Sequence, residues 1–423
     1  MKSSFVVGLG LIKRAALGAV LAALLGTPTA FAHEVHGAHE GHAAASPAPS
    51  GECAKASIEC ARSATPIFGP DGMVWVVWSH GDVVYVSMSM DGGESFDMVH
   101  AATGKMPTLD DNSEARPRLT LMADGSLLLV FTQRDSHYVG RLFTARSTDG
   151  GHSFSTPQPM LGEAGQRFGT PLILPSGRVV LSWLDLRNQK AAKARGQSYK
   201  DTGVAVAWSD DNGQTFMGRS ILADYSCDCC RMAASVTPDG HAVFAWRQVF
   251  DGTTRDHAAA RLNDDGSFGP VRRIAEDGWK IDACPMHGPS IAIGPDGAWH
   301  ATWFTGAPGK TGIYYARSSN EGASFSAPQA IGNSANKPTR PQIVAGGGQN
   351  LWRAWKEFDG KVSTVLLQHS GDGGVHWDAV VEGGRTKGAS DHPQLVANGD
   401  AVYLSWLTRE EGYRLTRLNG SGS

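Results

Sequence analysis

The chain has 423 residues, of which 41% are hydrophobic and 19% are charged, and these values exclude a disordered, collagen-like or coiled-coil chain. Its formal net charge of −3 leaves no basic excess, so we expect no nucleic-acid partner. The 52 glycines and 21 prolines require many turns between short elements, which favours an all-β fold.

Residues 1–32 have the pattern of a signal peptide. Basic residues near the start precede an apolar run over 15–26, and Ala30-Phe31-Ala32 forms an Ala-x-Ala cleavage pattern. No later segment is long and apolar enough to form a membrane helix. We therefore expect cleavage after Ala32 and a monomeric, periplasmic or secreted protein in which cysteines can oxidise.

A histidine-rich segment follows, over residues 33–52. His33, His36, His39 and His42 are three residues apart, and an Ala-, Pro- and Ser-rich stretch comes next. The segment has too few apolar residues to fold, which predicts a flexible tail. The imidazoles could scavenge a transition metal, or the segment could be a solvated leader, and both interpretations stay open.

A short apolar run that ends on an aromatic residue recurs seven times, at intervals of about 55 residues. The aromatic residues are Trp78, Phe131, Trp183, Trp246, Trp303, Trp355 and Trp406. Each run follows a second apolar run and a turn, which predicts a β-hairpin. Because no ligand would recur with this period, we expect the aromatic side chains to pack in the core.

A second repeat combines Ser, Asp or Asn, Gly and a final aromatic residue. Good copies begin at Ser89, Ser147, Ser209, Ser318 and Ser370, and a degenerate copy covers 263–268. The Asp carboxylate is expected to cap backbone N–H groups, the glycine to adopt a positive φ, and the aromatic residue to anchor the turn. Five good copies at a regular period indicate a repeat architecture.

These boxes resemble the Asp-box (BNR) repeats of sialidase-like β-propellers, from about residue 60 to the end. The resemblance implies an all-β propeller of four-stranded blades, with residues 53–423 forming one domain. Seven aromatic-ended hairpins favour seven blades, with the six of most sialidases as the alternative. The last unit lacks a box, so we expect the segment from Cys53 to Ser63 to supply its outer strand.

Two successive blade connections contain four of the six cysteines. Cys227, Cys229 and Cys230 lie in the first connection, and Cys284 and His287 lie in the second. Neighbouring sheets pack about 10 Å apart, so these side chains could meet at the pocket face. Soft sulfur ligands suit Cu(I) and, less exclusively, zinc, so the five residues predict a copper site. The residues expected to support it are Arg255, Asp256 and His392.

Disulfide formation is the alternative use of these cysteines, and the protein would then hold no metal. An exported compartment favours disulfides. The adjacent Cys229 and Cys230 could pair with each other only through a strained ring. For Cys53 and Cys60, which are separated by six residues, a local disulfide is the favoured interpretation.

The resemblance implies a second candidate function, an exo-glycoside hydrolase acting on an acidic sugar. Sialidases hold the substrate carboxylate with three arginines and use an Asp acid with a Tyr activated by Glu. Arg116, Arg231 and Arg340 are the residues to which the arginine role can be carried over, since guanidinium forks pair bidentately with carboxylates. Each could equally hold a loop carboxylate.

The catalytic groups of that family have no clear counterparts in this sequence. Asp110 or Asp111 could supply an acid, but no Tyr and Glu pair can be placed, so enzymatic activity stays open. A metal ion or a small acidic ligand in the central pocket is the expected partner. A non-catalytic interaction scaffold is the third candidate function.

Overall fold

The strands form where β-branched and aromatic residues occur in short runs bounded by turn residues, as in Val74–His80 (VWVVWSH). The computed structural model describes residues 51–96, 98–135, 139–199 and 201–419. The predicted signal peptide over 1–32 and the tail histidines lie outside the described residues, so both remain predictions. These histidines are His33, His36, His39 and His42.

The first four groups of antiparallel strands cover residues 64–273. Group 1 contains β1 Ala64–Phe68, β2 Val74–His80, β3 Val83–Ser89 and β4 Met98–Ala101. Group 2 contains β5 Leu109–Asp110, β6 Arg118–Leu121, β7 Leu127–Arg134, β8 Gly140–Ser147 and β9 Gln158–Pro159. Group 3 contains β10 Gln166–Ile173, β11 Val179–Asp185, β12 Thr202–Ser209 and β13 Met217–Ser226. Group 4 contains β14 Ala233–Val236, β15 Ala242–Phe250, β16 Thr254–Arg261 and β17 Arg272–Arg273.

The remaining strands form three further groups. Group 5 contains β18 Ser290–Ile293, β19 Trp299–Thr305, β20 Gly312–Ser318 and β21 Gln329–Ile331. Group 6 contains β22 Thr339–Ala345, β23 Leu351–Phe358, β24 Ser363–Ser370 and β25 Val381–Thr386. Group 7 contains β26 Gln394–Asn398, β27 Ala401–Thr408 and β28 Gly412–Leu418. One α-helix, α1 Arg187–Ala194, and four 3₁₀ helices, Gly51–Ala54, Ile58–Cys60, Pro70–Gly72 and Ser334–Asn336, complete the described elements.

The first strands of the groups lie side by side in a closed ring. Strands β1, β6, β10, β14, β18, β22 and β26 each contact the next, and β26 contacts β1. A ring of antiparallel strand groups whose innermost strands surround one axis is a β-propeller. The predicted fold class is therefore confirmed.

The segment from Cys53 to Ser63 does not form the outer strand that the sequence analysis expected for the last unit. Group 7 has three strands, and the segment instead forms two 3₁₀ helices, Gly51–Ala54 and Ile58–Cys60. A disulfide between Cys53 and Cys60 closes this short loop, which prevents it from extending as a strand. The segment Ile58–Cys60 contacts β2 and β28, so it covers the junction between the first and last groups.

Apolar side chains pack between neighbouring groups, because both faces of an inner sheet meet another sheet. Between groups 4 and 5, Val243 and Ala259 pack with Ile291 and Trp303. The predicted aromatic residues are all buried, from Trp78 and Trp183 at 0% exposure to Trp406 at 3%. The hydrophobic area buried in this way is the main stabilising contribution of the fold.

Groups 3 and 4 share one sheet, because Ser226 at the end of β13 pairs with Gln248 of β15. The backbone N–H of Cys227 then donates to the carbonyl of Arg247 at 2.9 Å. The cysteine-containing connection therefore begins at a point where two strand groups are hydrogen-bonded together.

The box turns have the hydrogen bonds that the sequence predicts. In the first box, the Asp91 carboxylate accepts from the N–H groups of Glu94 at 2.9 Å and Ser95 at 3.0 Å, and Gly92 has a φ of +78°. Hydrogen bonds from the Ser89 and Ser95 side chains hold the pKa of Asp91 well below its ordinary value. Since successive strands are antiparallel, these boxes lie on the face opposite the connections that enter the innermost strands.

A buried ion pair joins the two ends of the ring. Arg116, which precedes β6, makes two 2.5 Å hydrogen bonds to the carboxylate of Asp391, which precedes β26. Arg116 also donates to the carbonyl of Ala64 in β1 at 3.1 Å, and the Ala64 N–H donates to Asp391 at 3.3 Å. One guanidinium–carboxylate pair therefore links groups 1, 2 and 7.

Among the residues that the structure describes, no helix has the length and apolar character that crossing a membrane requires. The longest described helix is α1, with eight residues.

We predict that Asp391→Asn and Arg116→Met each lower the free energy of unfolding by about 3–5 kcal/mol, because each leaves one buried charge without its partner. The double variant should lose clearly less than the sum of the single losses, because it removes both charges. Urea unfolding of the four proteins of this double-mutant cycle measures the coupling. Strictly additive losses would contradict the assigned role of the pair.

Candidate functional site

The connections that enter the innermost strands bring charged side chains together near the axis of the propeller. Glu114 lies at the centre of this cluster and is 3% exposed. Its carboxylate pairs with Arg340 at 2.7 Å and with Arg231 at 3.5 Å. Two of the three arginines predicted to hold a substrate carboxylate therefore hold a carboxylate of the protein itself.

Glu114 is ionised even though it is buried. Burial raises the pKa of a carboxyl group, but Arg340, a hydrogen bond from His392 and Arg231 together hold the pKa of Glu114 well below its ordinary value. The third predicted arginine, Arg116, is paired with Asp391. All three arginines thus have carboxylate partners within the protein. They hold loop carboxylates, which was the alternative to holding the carboxylate of a substrate.

His392 lies beside Glu114 and not beside the cysteines that it was expected to support. Its Nδ1 atom is 3.3 Å from Oε1 of Glu114. Burial, with a further contribution from Arg340, lowers the pKa of His392 to about 3. The imidazole is therefore neutral at pH 7.

A cavity of about 530 Å³ lies inside the ring and is lined by residues of all seven innermost strands. Its polar lining includes three guanidinium groups, several hydroxyl and amide groups, and one imidazole. These residues are Arg116, Arg118, Arg231, Thr65, Ser113, Thr120, Thr170, Ser235, Ser290, Gln342, Gln394 and His392. We call this space the axial cavity.

Arg118 differs from the other arginines of the axial cavity because its side chain makes no hydrogen bond or ion pair with any described residue. Burial and the nearby Arg231 and Arg116 lower the pKa of Arg118 to about 10, so it stays protonated at pH 7. An unpaired, largely desolvated guanidinium favours an anionic partner. Arg118 was not predicted from the sequence, although the alternation of Arg116 and Arg118 leading into β6 placed both on one face.

The axial cavity lacks the carboxylate pair that glycoside hydrolysis generally requires. No Asp or Glu occurs among the described residues that line it. The two acids suggested by the sequence are buried in ion pairs elsewhere, Asp110 with Arg134 and Arg167, and Asp111 with Arg62 at 2.9 Å. Burial also raises the pKa of Asp111.

The predicted cysteine cluster assembles from the two connections. Cys229 and Cys284 form a disulfide, while Cys227 and Cys230 are buried free thiols. The Sγ atom of Cys227 lies 2.9 Å from that of Cys230 and 3.6 Å from that of Cys229. One pair is therefore oxidised, as the disulfide alternative expected, while the other is reduced, and the metal site stays a prediction.

The two free thiols have different protonation tendencies. Burial raises the pKa of the Cys227 thiol well above its ordinary value. Burial also acts on Cys230, but a hydrogen bond from Cys227, the positive charge of Arg247 and a backbone N–H from His287 outweigh it and lower the pKa of Cys230. The pair can therefore hold one negative charge, with Cys227 as the hydrogen-bond donor.

The residues predicted to surround the cysteines have mixed placements. Arg255 donates to the carbonyl of Ile281 at 3.0 Å and lies close enough to Cys227 to favour its thiolate. Asp256 is fully buried but pairs with Arg273 and accepts from the Gly278 N–H at 3.0 Å, so it holds a loop.

The imidazole of His287 is not among the described side-chain atoms that cluster with the cysteine sulfurs. It stacks on Phe304 at 4.1 Å, and its Nδ1 lies 3.4 Å from the Thr339 hydroxyl. Arg247, which the sequence analysis did not single out, donates to the His287 carbonyl at 2.9 Å.

No protein-family model matches the chain, and neither does any curated protein. Its fold matches solved structures, which include polysaccharide lyases, sialidases and an arabinanase. A PL25 ulvan lyase bound to a saccharide of GlcA and Rha3S has a TM-score of 0.53 at 12% identity, over 83% of this chain and 90% of that one. The polysaccharide lyase Uly1 has a TM-score of 0.53 at 10% identity, over 84% and 88%. The NanB sialidase of Streptococcus pneumoniae has a TM-score of 0.48 at 10% identity, over 83% and 84%. At these identities the likeness concerns the fold alone.

We predict that Glu114→Gln lowers the free energy of unfolding at pH 7 by about 3 kcal/mol, because Arg231 and Arg340 lose their shared carboxylate. A carboxyl group whose folded pKa is depressed contributes stability above its unfolded pKa of about 4.3, and this contribution is lost as the pH falls toward the folded value. The variant should therefore lose less stability than the wild type between pH 5 and pH 3. Urea unfolding at several pH values measures both effects.

The surface variant Glu163→Gln provides the control, because the exposed Glu163 has no buried charged partner. It should match the wild type at every pH. A Glu114→Gln protein with wild-type stability and wild-type acid sensitivity would contradict the role of Glu114.

Proposed function

We propose that the protein binds an acidic saccharide by its carboxylate in the axial cavity. The observation that carries the proposal is the unpaired guanidinium of Arg118. Arg116 pairs with Asp391, and Arg231 and Arg340 share Glu114, whereas Arg118 has no acidic partner among the described residues, so the cavity keeps an excess of positive charge. A bound carboxylate would supply the missing partner in a bidentate geometry.

The rest of the cavity suits a sugar. The hydroxyl and amide groups of Thr170, Ser290, Gln342 and Gln394 can bond with ring hydroxyls, and the apolar side chains between them can pack on the ring. The volume of about 530 Å³ falls in the range of small-molecule pockets. The glucuronic acid named for the bound ulvan lyase belongs to the chemical class that Arg118 would recognise.

The residues present favour elimination over hydrolysis as the cleavage step. Hydrolysis generally needs two carboxyl groups, which the described cavity lining lacks, whereas elimination from a uronic acid needs a base and a cation that neutralises the sugar carboxylate. The carboxylate of the bound sugar would raise the pKa of His392 from its low value, so that its imidazole would accept the C5 proton, and the electron pair left on C5 would form a C4–C5 double bond. The C4–O bond would break, and the departing oxygen would take a proton from solvent. Arg118 would stabilise the charge that develops on the carboxylate.

We predict that Arg118→Gln weakens the binding of glucuronic-acid oligosaccharides by about 10- to 100-fold, because a hydrogen-bonded charge pair contributes about 1.5–3 kcal/mol. Isothermal titration calorimetry of wild type and variant measures the change. Arg417→Gln is the matched control, since it removes the same charge from an exposed position on β28 and should leave the affinity unchanged.

Neutral oligosaccharides of equal length test whether the carboxylate is what the protein recognises. They should bind at least tenfold more weakly than the acidic ones. Absence of binding by all acidic saccharides tried, sialyl-lactose included, or equal binding by Arg118→Gln, would refute the proposal. Ultraviolet absorbance from the C4–C5 double bond of an unsaturated product would report elimination, and its absence with retained binding would assign the protein a binding role without cleavage.

Soft-metal binding, the function predicted from the cysteine motifs, would use a different site. None of Cys227, Cys229, Cys230 and Cys284 is among the described residues that line the axial cavity. Metal binding and saccharide binding can therefore be tested separately.

A further inference from the structure

The sulfur atoms of four cysteines gather in one place that the proposed saccharide site does not use. The ligand atoms of Cys227, Cys229 and Cys230 all lie within 4.8 Å of one another, and Cys284 is bonded to Cys229. A disulfide alone would not require the two further thiols to lie against it. The arrangement places a reduced pair directly beneath an oxidised pair.

The cluster has a buried part and an exposed part. Cys227, Cys229 and Cys230 are at most 5% exposed, whereas Cys284 is exposed to solvent. The partly buried Met286 packs against the three buried cysteines. A reagent from solvent therefore reaches the disulfide at Cys284 before it reaches the two free thiols.

The sulfur spacing is close to that of a metal–thiolate centre. Metal–sulfur bonds of about 2.3 Å place two ligand sulfurs roughly 3.8–4.6 Å apart, depending on whether the geometry is tetrahedral or linear. The distance of 3.6 Å between Cys227 and Cys229 lies just below this range, and the 2.9 Å between Cys227 and Cys230 would need to widen by about 1 Å. Side-chain rotation can provide a change of this size once Cys229 is released from its disulfide.

The surroundings of the sulfurs favour a metal ion that carries a low charge and binds thiolates. The buried guanidinium groups of Arg247 and Arg255 lie near the sulfurs and offset the charge of two thiolates. Sulfur ligands, a nearby thioether and the burial of three of the four sulfurs favour Cu(I) over harder ions. The cluster therefore offers sulfur ligands for a soft metal ion, and the Cys229 sulfur becomes available as a ligand only when its disulfide with Cys284 is reduced.

We propose that reduction of the Cys229–Cys284 disulfide turns this cluster into a Cu(I) site formed by Cys227, Cys229 and Cys230. The reductant is a dithiol, which transfers two electrons and two protons to the Cys229 and Cys284 sulfurs and becomes a cyclic disulfide. Binding of Cu(I) then releases thiol protons to solvent as the Cu–S bonds form. In the oxidised state, Cys229 and Cys284 are occupied by their mutual bond and the disulfide caps the remaining thiols.

The test compares oxidised protein with protein that has been reduced by dithiothreitol and desalted without oxygen. Each sample is titrated with Cu(I) against the chelator bicinchoninate, and X-ray absorption identifies the copper ligands. The reduced protein should bind one Cu(I) through sulfur at least tenfold more tightly than the oxidised protein. Sulfur coordination also separates this site from the histidines of residues 33–42.

Variants test the metal ligands separately from the Cys229–Cys284 disulfide, which acts as the gate of the site. The double variant Cys227→Ser/Cys230→Ser should lose sulfur-bound copper in both redox states. The variant Cys284→Ser, which cannot form the disulfide, should bind Cu(I) without prior reduction. Cys53→Ser/Cys60→Ser, which removes the other disulfide, should behave as the wild type, and circular dichroism confirms that each variant is folded.

Three results would overturn the proposal. The first is equal affinity in the oxidised and reduced states, which would refute the gate. The second is copper bound only through nitrogen or oxygen, and the third is displacement of Cu(I) by equimolar zinc. Either of these two results would refute a Cu(I) site with sulfur ligands. None of these results bears on saccharide binding, which uses other residues.

Discussion

The buried carboxylates of Glu114 and Asp391 determine how the entrance to the propeller axis is built. Three arginines from three different strand groups converge there, and without these acids their like charges would repel in a poorly hydrated space. Asp391 pairs with Arg116, which is 275 residues away in sequence, and so links the last strand group to the second. Glu114 joins Arg231 and Arg340, which come from two further groups. The two buried carboxylates therefore both link the strand groups of the ring and offset the charges of the arginines at its axis.

The same neutralisation determines what the axial cavity can recognise. If all the arginines were unpaired, the cavity would attract any anion, and if all were paired it would attract none. Arg116 is paired with Asp391, and Arg231 and Arg340 share Glu114, so part of this charge is offset and Arg118 is the arginine of the described cavity lining that is left without a partner. A single guanidinium surrounded by hydroxyl and amide groups selects a ligand with one carboxylate and many hydroxyl groups.

The fold could be predicted from the repeats of the sequence because each repeat is a local pattern. Trp183 and Trp246 end hairpins that could be recognised from alternation and turn residues, and the Asp91 turn follows from its own eight residues. The same register brought Cys229 and Cys284 together across two connections. Glu114 and Arg118 could not be assigned in this way, because their roles depend on which side chains arrive from other groups. The segment from Cys53 to Ser63 failed as a predicted strand because its disulfide, a constraint outside the repeat, governs its conformation.

The pairing of Ser226 with Gln248 has a mechanical consequence for the cysteine connection. It fastens the start of that connection to the neighbouring blade, where the Cys227 N–H is held by the Arg247 carbonyl. A loop anchored in this way resists being pulled open by an ion of unsuitable radius. Stiffness in the scaffold, set by hydrogen bonds that touch no sulfur, would then limit which ions fit as strongly as the chemistry of the thiols does.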